Sequence, residues 1–278
     1  MTEALTAVLT ALGDDELILG HRHSEWTGYA PHLEEDVAFS SIAQDEIGHA
    51  TAYYSLLAKV TDSDPDRIAL GREKTEYRHA ILCERPNHEW AYTLARHWLY
   101  DTADEIRLES IELCSDEDLA ALARKIRREE RYHLLHADSW MKRVARGPVE
   151  GRTKLMDAIG EILPESLGIF EPLDHEEKAV KEGLWPTPSA ELRQRFLDRT
   201  GTALDRLGLP TEIHTHATER AEFVASSSGD LIADGNGGPA DAPISDGFGG
   251  RRGRHTADFD QLWDDMTGQY RAHPGATW

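Results

Sequence analysis

With 278 residues, 40% of them hydrophobic and only two cysteines, the chain can bury one large core without disulfides. Its 51 acidic against 30 basic residues leave a net charge of −21, which opposes nucleic-acid binding, and no apolar run reaches the length of a membrane span. Only seven of the basic residues are Lys, so the acidic excess reads first as a solvating surface suited to high-salt cytoplasm, and second as a partner-docking face. Cys83 and Cys114 form no CxxC pair; with no secretory signal, the expectation is reduced thiols and a cytoplasmic protein.

Helical spacing dominates from the N-terminus onward, and no convincing alternating strand interrupts it. A break falls at Gly28-Tyr29-Ala30-Pro31, because Pro lacks the donor that a helix needs and Gly favours other conformations. Residues 33–61 then carry Val37, Ile42, Ile47, Leu56 and Leu57 without an internal proline, up to a second break at Asp62-Ser63-Asp64-Pro65. Segments 89–114, 117–146 and 153–170 read in the same way, with Ser115 as an N-cap ahead of Glu117 and Asp118. The Gly-, Ser- and Asp-rich stretch 225–254 has little to bury and is expected to be a mobile linker. Beyond it, Phe259, Leu262, Trp263, Met266 and Tyr270 restore helical spacing over Thr256–His273. The expected organisation is therefore a bundle over 1–224, a linker over 225–254, and a C-terminal helical segment over 255–278 that docks back on the bundle.

Three Glu-x-x-His pairs occur: Glu46/His49, Glu76/His79 and Glu130/His133. Residues three apart on a helix share a face, so each pair can aim an oxygen and a nitrogen at one point. Two of the pairs follow another carboxylate by about one helical hairpin: Glu16 lies 30 residues before Glu46, and Asp101 lies 29 before Glu130. The triplets 16, 46, 49 and 101, 130, 133 repeat with offsets of 85, 84 and 84 residues, and the turn signals fall midway within each hairpin. Arms of about 13 residues correspond to roughly 20 Å of helix, enough to return each carboxylate to the height of its Glu-x-x-His pair. That is the ligand pattern of a ferritin-like di-metal bundle: one carboxylate from each of two helices and a Glu-x-x-His from each of the others. Glu76/His79 has no such partner carboxylate and is expected at the surface.

The stretch Glu16-Leu-Ile-Leu-Gly-His-Arg-His-Ser-Glu-Trp26, with Asn87, Trp90, Arg128-Glu-Glu-Arg-Tyr-His133, Gly253-Arg-His-Thr256 and Arg271-Ala-His-Pro-Gly-Ala-Thr-Trp278, resembles the C-subunit family of phenylacetyl-CoA 1,2-epoxidase. The resemblance spans all but residues 225–250. It implies an all-α, ferritin-like four-helix bundle with additional C-terminal helices, acting within a multicomponent oxygenase of aerobic phenylacetate breakdown. It also implies partners: a catalytic A-type subunit with other members of the complex, a separate reductase as electron donor, and phenylacetyl-CoA as substrate. In such families the A-type subunit carries the di-iron site, and the C-type subunit is regarded as structural.

Here the sequence departs from that pattern, because Glu16, Glu46, His49, Asp101, Glu130 and His133 form a complete ligand set. Four carboxylates in a bundle core could not all stay ionised without counter-charge, and two iron ions would supply it. Mixed imidazole and carboxylate ligation suits iron or manganese rather than a thiolate-rich zinc site. Asp45, Asp104, Glu105 and Glu129 lie beside the set as supporting carboxylates or solvated charges. Three roles stay open: a C-type subunit that binds a di-iron centre within an epoxidase complex, a purely structural scaffold of that complex, and an independent di-iron ferroxidase. Among other residues, His21, His23, Ser24, Glu25 and Trp26 read equally as a partner or CoA contact and as a capped helix end. Tyr53 and Trp98 read as core aromatics, and His214 and His216 as surface.

Overall fold

The computed structural model describes residues 2–210, 215, 218, 219, 247–273 and 276, and among them the chain is helical with no β-strand. Four long helices build the bundle: α1 (Thr2–Ser24) and α2 (Leu33–Thr61) form one hairpin, while α5 (Trp90–Ile111) and α6 (Glu117–Ala145) form the other. Between the hairpins run two short helices, α3 (Pro65–Leu70) and α4 (Ile81–Glu84). After them come α7 (Val149–Ser166), α8 (Glu176–Lys181), α9 (Ser189–Leu207) and α10 (Ala257–Ala272). His214 and His216 lie outside the described residues. No described helix is long and apolar enough to cross a membrane.

Local signals account for the helix ends. Gly28 takes a left-handed conformation in the α1–α2 turn (φ 85°). Asp64 caps α3, which has Pro at its first position. At the start of α6 the cap is Asp116 rather than Ser115: its carboxylate accepts from Leu119 N at 2.9 Å. Ser115 Oγ is engaged instead by the Glu182 carbonyl. The bundle helices contain 23, 29, 22 and 29 residues, so at 1.5 Å per residue they run about 33–44 Å and place the Glu-x-x-His pairs near mid-length.

The core is unusual in what it buries besides hydrocarbon. Leu9, Leu12, Tyr53, Trp98, Leu99 and Ile126 fill it, yet Asp14, Asp15, Arg96 and Arg107 are buried as well. Asp15 receives Arg107 Nη1 at 2.6 Å and both terminal nitrogens of Arg251 at 2.7 and 2.8 Å. Arg251 belongs to the segment 247–254, which corrects the linker expectation at its C-terminal end. These residues pack into the bundle through a short 3₁₀ turn at Gly250–Arg252, and residues 225–246 lie outside the described residues. Composition misleads here because the glycines permit close approach rather than motion: a Cβ at Gly250 would run into the His79 carbonyl. From this anchor α10 lays Phe259, Leu262, Trp263 and Met266 against α3, α4 and the preceding 3₁₀ turn (Lys74–Glu76).

Candidate metal centre

Glu16 comes from α1, Glu46 and His49 from α2, Asp101 from α5, and Glu130 and His133 from α6; none is more than 3% exposed. The tightest group is Glu16, His49 and Glu130, each with a ligand atom within 4.8 Å of the other two. His49 Nδ1 lies 3.1 Å from Glu16 Oε2 and 3.2 Å from Glu130 Oε1, and His133 Nδ1 lies 3.1 Å from that same Glu130 oxygen. Glu130 Oε1 and His133 Nδ1 are buried with no aligned hydrogen-bond partner, as are both carboxylate oxygens of Asp101. Glu16 is hydrogen-bonded, Oε2 to His49 Nδ1 and Oε1 accepting from Tyr100 Oη at 3.0 Å, but the unpartnered atoms of Glu130, His133 and Asp101 converge as the donors of a cation would.

The outward-facing nitrogens of the two imidazoles complete the pattern. His49 Nε2 meets Glu129 of α6 at 2.9 Å, and His133 Nε2 meets Asp45 of α2 at 3.2 Å. Each carboxylate stands one residue before a Glu-x-x-His pair and holds the histidine of the opposite helix. Such contacts fix the ring and leave Nδ1 free to face inward. Asp104 and Glu105 serve elsewhere: Asp104 pairs with Arg107, and Glu105 with Arg127.

The electrostatics of the group are unbalanced. Burial raises the pKa of Glu46 well above its usual range, with repulsion from Glu16 and Glu130 adding to it. Asp101 moves the same way for the same reason, with Glu130 the main repelling charge. Glu16 is also raised, because its burial outweighs the contact with His49. Glu130 alone is lowered: burial opposes its charge, but the His133 and His49 imidazoles beside it outweigh that cost. Burial disfavours a charged His49, yet Glu130 and Glu16 push its pKa up to about 11. Four carboxylates thus face two imidazoles, and two divalent cations would bring matching charge.

Two further histidines enter the site. His23 is fully buried, with Nδ1 2.9 Å from both Glu46 oxygens. His97 Nδ1 lies 3.1 Å from Asp101 Oδ2 without good hydrogen-bond alignment. Sequence reasoning placed His23 in an end-of-helix cluster and passed over His97. The usable signal was spacing: His23 lies two helical turns after Glu16, and His97 one turn before Asp101. Of the rest of that cluster, Ser24 Oγ donates to the His21 carbonyl, Trp26 Nε1 donates to Thr93, and exposed Glu25 pairs with Arg22, whose guanidinium also binds the Glu84 carbonyl. Tyr53 and Trp98 are core residues.

Glu76 is exposed, but His79 is not, which corrects the surface expectation for that pair. His79 Nε2 and His255 Nδ1 meet the same oxygen, Glu84 Oε2, at 2.7 and 2.8 Å. Glu84 Oε1 accepts Thr256 N at 2.6 Å, and His255 Nε2 reaches the Tyr77 carbonyl at 3.1 Å. The two imidazoles stack 4.1 Å apart at 14°. Both Glu84 oxygens are thus taken up by hydrogen bonds within the chain, so this group serves as a hydrogen-bonded clasp between the α4 region and the C-terminal segment.

Paired helical hairpins with carboxylates and Glu-x-x-His pairs converging in the core define a ferritin-like carboxylate-bundle protein. A family profile described as phenylacetic acid catabolic protein matches residues 1–223, and the chain belongs to that family. It is 27% identical over 277 residues, 99% of each chain, to the C subunit of 1,2-phenylacetyl-CoA epoxidase from Escherichia coli K12. To the A subunit of the epoxidase from the same bacterium it is 26% identical over 205 residues, covering 68% of this chain and 65% of that relative.

Proposed function

We propose that this chain is a cytoplasmic, C-type subunit of a multicomponent phenylacetyl-CoA 1,2-epoxidase in phenylacetate catabolism, and that it holds a pair of iron ions with Glu16, Glu46, His49, Asp101, Glu130 and His133. Full-length similarity to an epoxidase C subunit supports the complex. The observation that carries the metal is the convergence of His49 Nδ1 and His133 Nδ1 on Glu130 Oε1, while Glu129 and Asp45 hold the opposite ring nitrogens.

An iron pair, when bound, supplies the redox chemistry by which dioxygen gives one atom to the aromatic ring and the other to water, consuming two electrons and two protons. The chain's own groups set the conditions. Glu16 and Glu130 supply negative charge in a site shielded from water, and Asp45 and Glu129 orient the imidazoles. Leu9, Tyr53 and Trp98 help to exclude solvent. Two cysteines cannot hold an iron–sulfur cluster, so electrons come from a separate reductase. The A-type subunit is the natural neighbour; exposed Leu33 and Val37 on α2, with Tyr132 and Leu135 on α6, offer it apolar surface beside a cleft of about 350 Å³.

One observation favours a scaffolding role: His23 already engages Glu46, so one carboxylate of the set has a partner within the chain. Reconstitution separates the readings. The complex is assembled with an A-type subunit and with Glu46→Ala in this chain alone; iron content and epoxidation of phenylacetyl-CoA are then measured. Loss of iron from this chain together with a fall in turnover supports the metal-binding role, whereas unchanged iron and turnover leave a scaffold.

A further inference from the structure

Four carboxylates and two histidines repeat across the hairpins, yet their surroundings do not. Glu16, His49 and Glu130 stand within 4.8 Å of one another; Glu16 accepts Tyr100 Oη on one oxygen only, its other oxygen faces His49, and among the described residues no histidine besides His49 and His133 engages these two carboxylates. The remaining carboxylates face a different wall. His23 Nδ1 lies 2.9 Å from each oxygen of Glu46, which puts this nitrogen on the open edge of the carboxylate, the edge by which a carboxylate chelates a cation. Nδ1 is the ring atom through which His23 meets Glu46, and Nε2 is left buried without a partner. Beside it, His97 approaches Asp101 at 3.1 Å. The two rings meet edge to face at 5.5 Å, and Phe39 packs against both at 5.3 Å. Glu46 is therefore held from behind by a ring that packing keeps in place.

We propose that the two ion positions are unequal: the first ion is taken by Glu16, His49 and Glu130, and the second binds more weakly because Glu46 must first be released by His23. This rests on the di-metal reading above. His23 is a positioning residue in this account, acting on the ion only through Glu46. Breaking a buried hydrogen bond in a dry core weakens the second step by on the order of tenfold. Removing His23 would leave the Glu46 carboxylate buried without its donor and therefore readier to take a cation. The first step, whose ligands do not touch His23, stays as it was.

The test is an anaerobic Co(II) titration of the full chain, followed by calorimetry and by the visible absorption of the bound ion, in the wild type, His23→Leu and His23→Gln. The expected wild-type result is two separable steps. In His23→Leu the second step tightens about tenfold or more and the first holds, and in His23→Gln, which keeps a donor for Glu46, both steps stay near the wild type. Equal affinities in the wild type would overturn the proposal even if the leucine variant failed to fold. So would a second step that is unchanged or weaker in His23→Leu, the weaker result making His23 itself a ligand. A wild type that takes up no Co(II) and no Fe(II) would instead overturn the metal reading on which the proposal stands.

Discussion

Among the described residues, two buried histidine–carboxylate clusters are built on opposite principles. Around Glu84 one carboxylate serves two imidazoles and a backbone N–H, so both of its oxygens have donors and nothing repels it. Around Glu130 the carboxylates outnumber the imidazoles, and Glu130 Oε1, His133 Nδ1 and both Asp101 oxygens are buried without a hydrogen-bond partner. Burial and composition alone do not separate the two, since both are histidine and glutamate in a dry core. The balance of donors against acceptors does: the first cluster is complete as a fastening, while the second is complete only with added positive charge.

The largest expected contrast comes from removing the central carboxylate of each. Glu84→Ala strips the partner from two imidazoles and the Thr256 amide, and should cost about 3–5 kcal/mol of folding stability while leaving metal uptake in any folded fraction unchanged. Glu130→Ala should abolish metal uptake yet cost the metal-free fold much less, because it relieves repulsion on Glu16 and Asp101. Chemical denaturation with parallel metal analysis checks both. If the two variants lost stability and metal alike, the distinction between fastening and site would fail.

Acid should loosen the clasp next. Burial, with the neighbouring His255, lowers the His79 pKa from 6.5 to about 4. Above pH 6.5 neither folded nor unfolded His79 binds a proton, so it has no effect on pH dependence there. Between 6.5 and 4 the unfolded chain takes up a proton that the folded chain refuses, and stability falls as the pH falls, by up to about 3 kcal/mol. Melting temperatures from pH 7 to 4 should show a shallower acid slope in His79→Gln than in the wild type; parallel slopes would contradict this.

A smaller effect sharpens the other side. Asp45→Ala and Glu129→Ala each free one imidazole nitrogen that now faces the opposite helix, and each should weaken metal binding about 10–100-fold with little change in stability. Arg127→Ala, which touches Glu105 but neither imidazole, is the matching control and should leave affinity unchanged. Equal effects from all three variants would show that surface charge, rather than imidazole orientation, is being measured.

Most of the bundle was legible because its signals are local and periodic. Leu33–Thr61 and Glu117–Ala145 follow from apolar spacing between proline and acidic caps, and the repeated offset of the two triplets pairs the hairpins. The segment 247–254 was not legible, since a glycine that permits close packing looks the same in sequence as one that permits motion. The destination of Arg251, on Asp15 some 236 positions earlier, leaves no local trace. The clasp was missed because His255 and Glu84 are joined only in space. His23 carried a weak signal, its spacing from Glu16, which a search confined to Glu-x-x-His pairs passes over.

The most direct measurement is iron stoichiometry in the purified chain after anaerobic Fe(II) loading and removal of free metal, for the wild type beside Glu130→Ala. Two ions per wild-type chain and none in the variant are expected, with both proteins folded. A wild-type chain that retains no iron, or a variant that retains as much as the wild type, would contradict it.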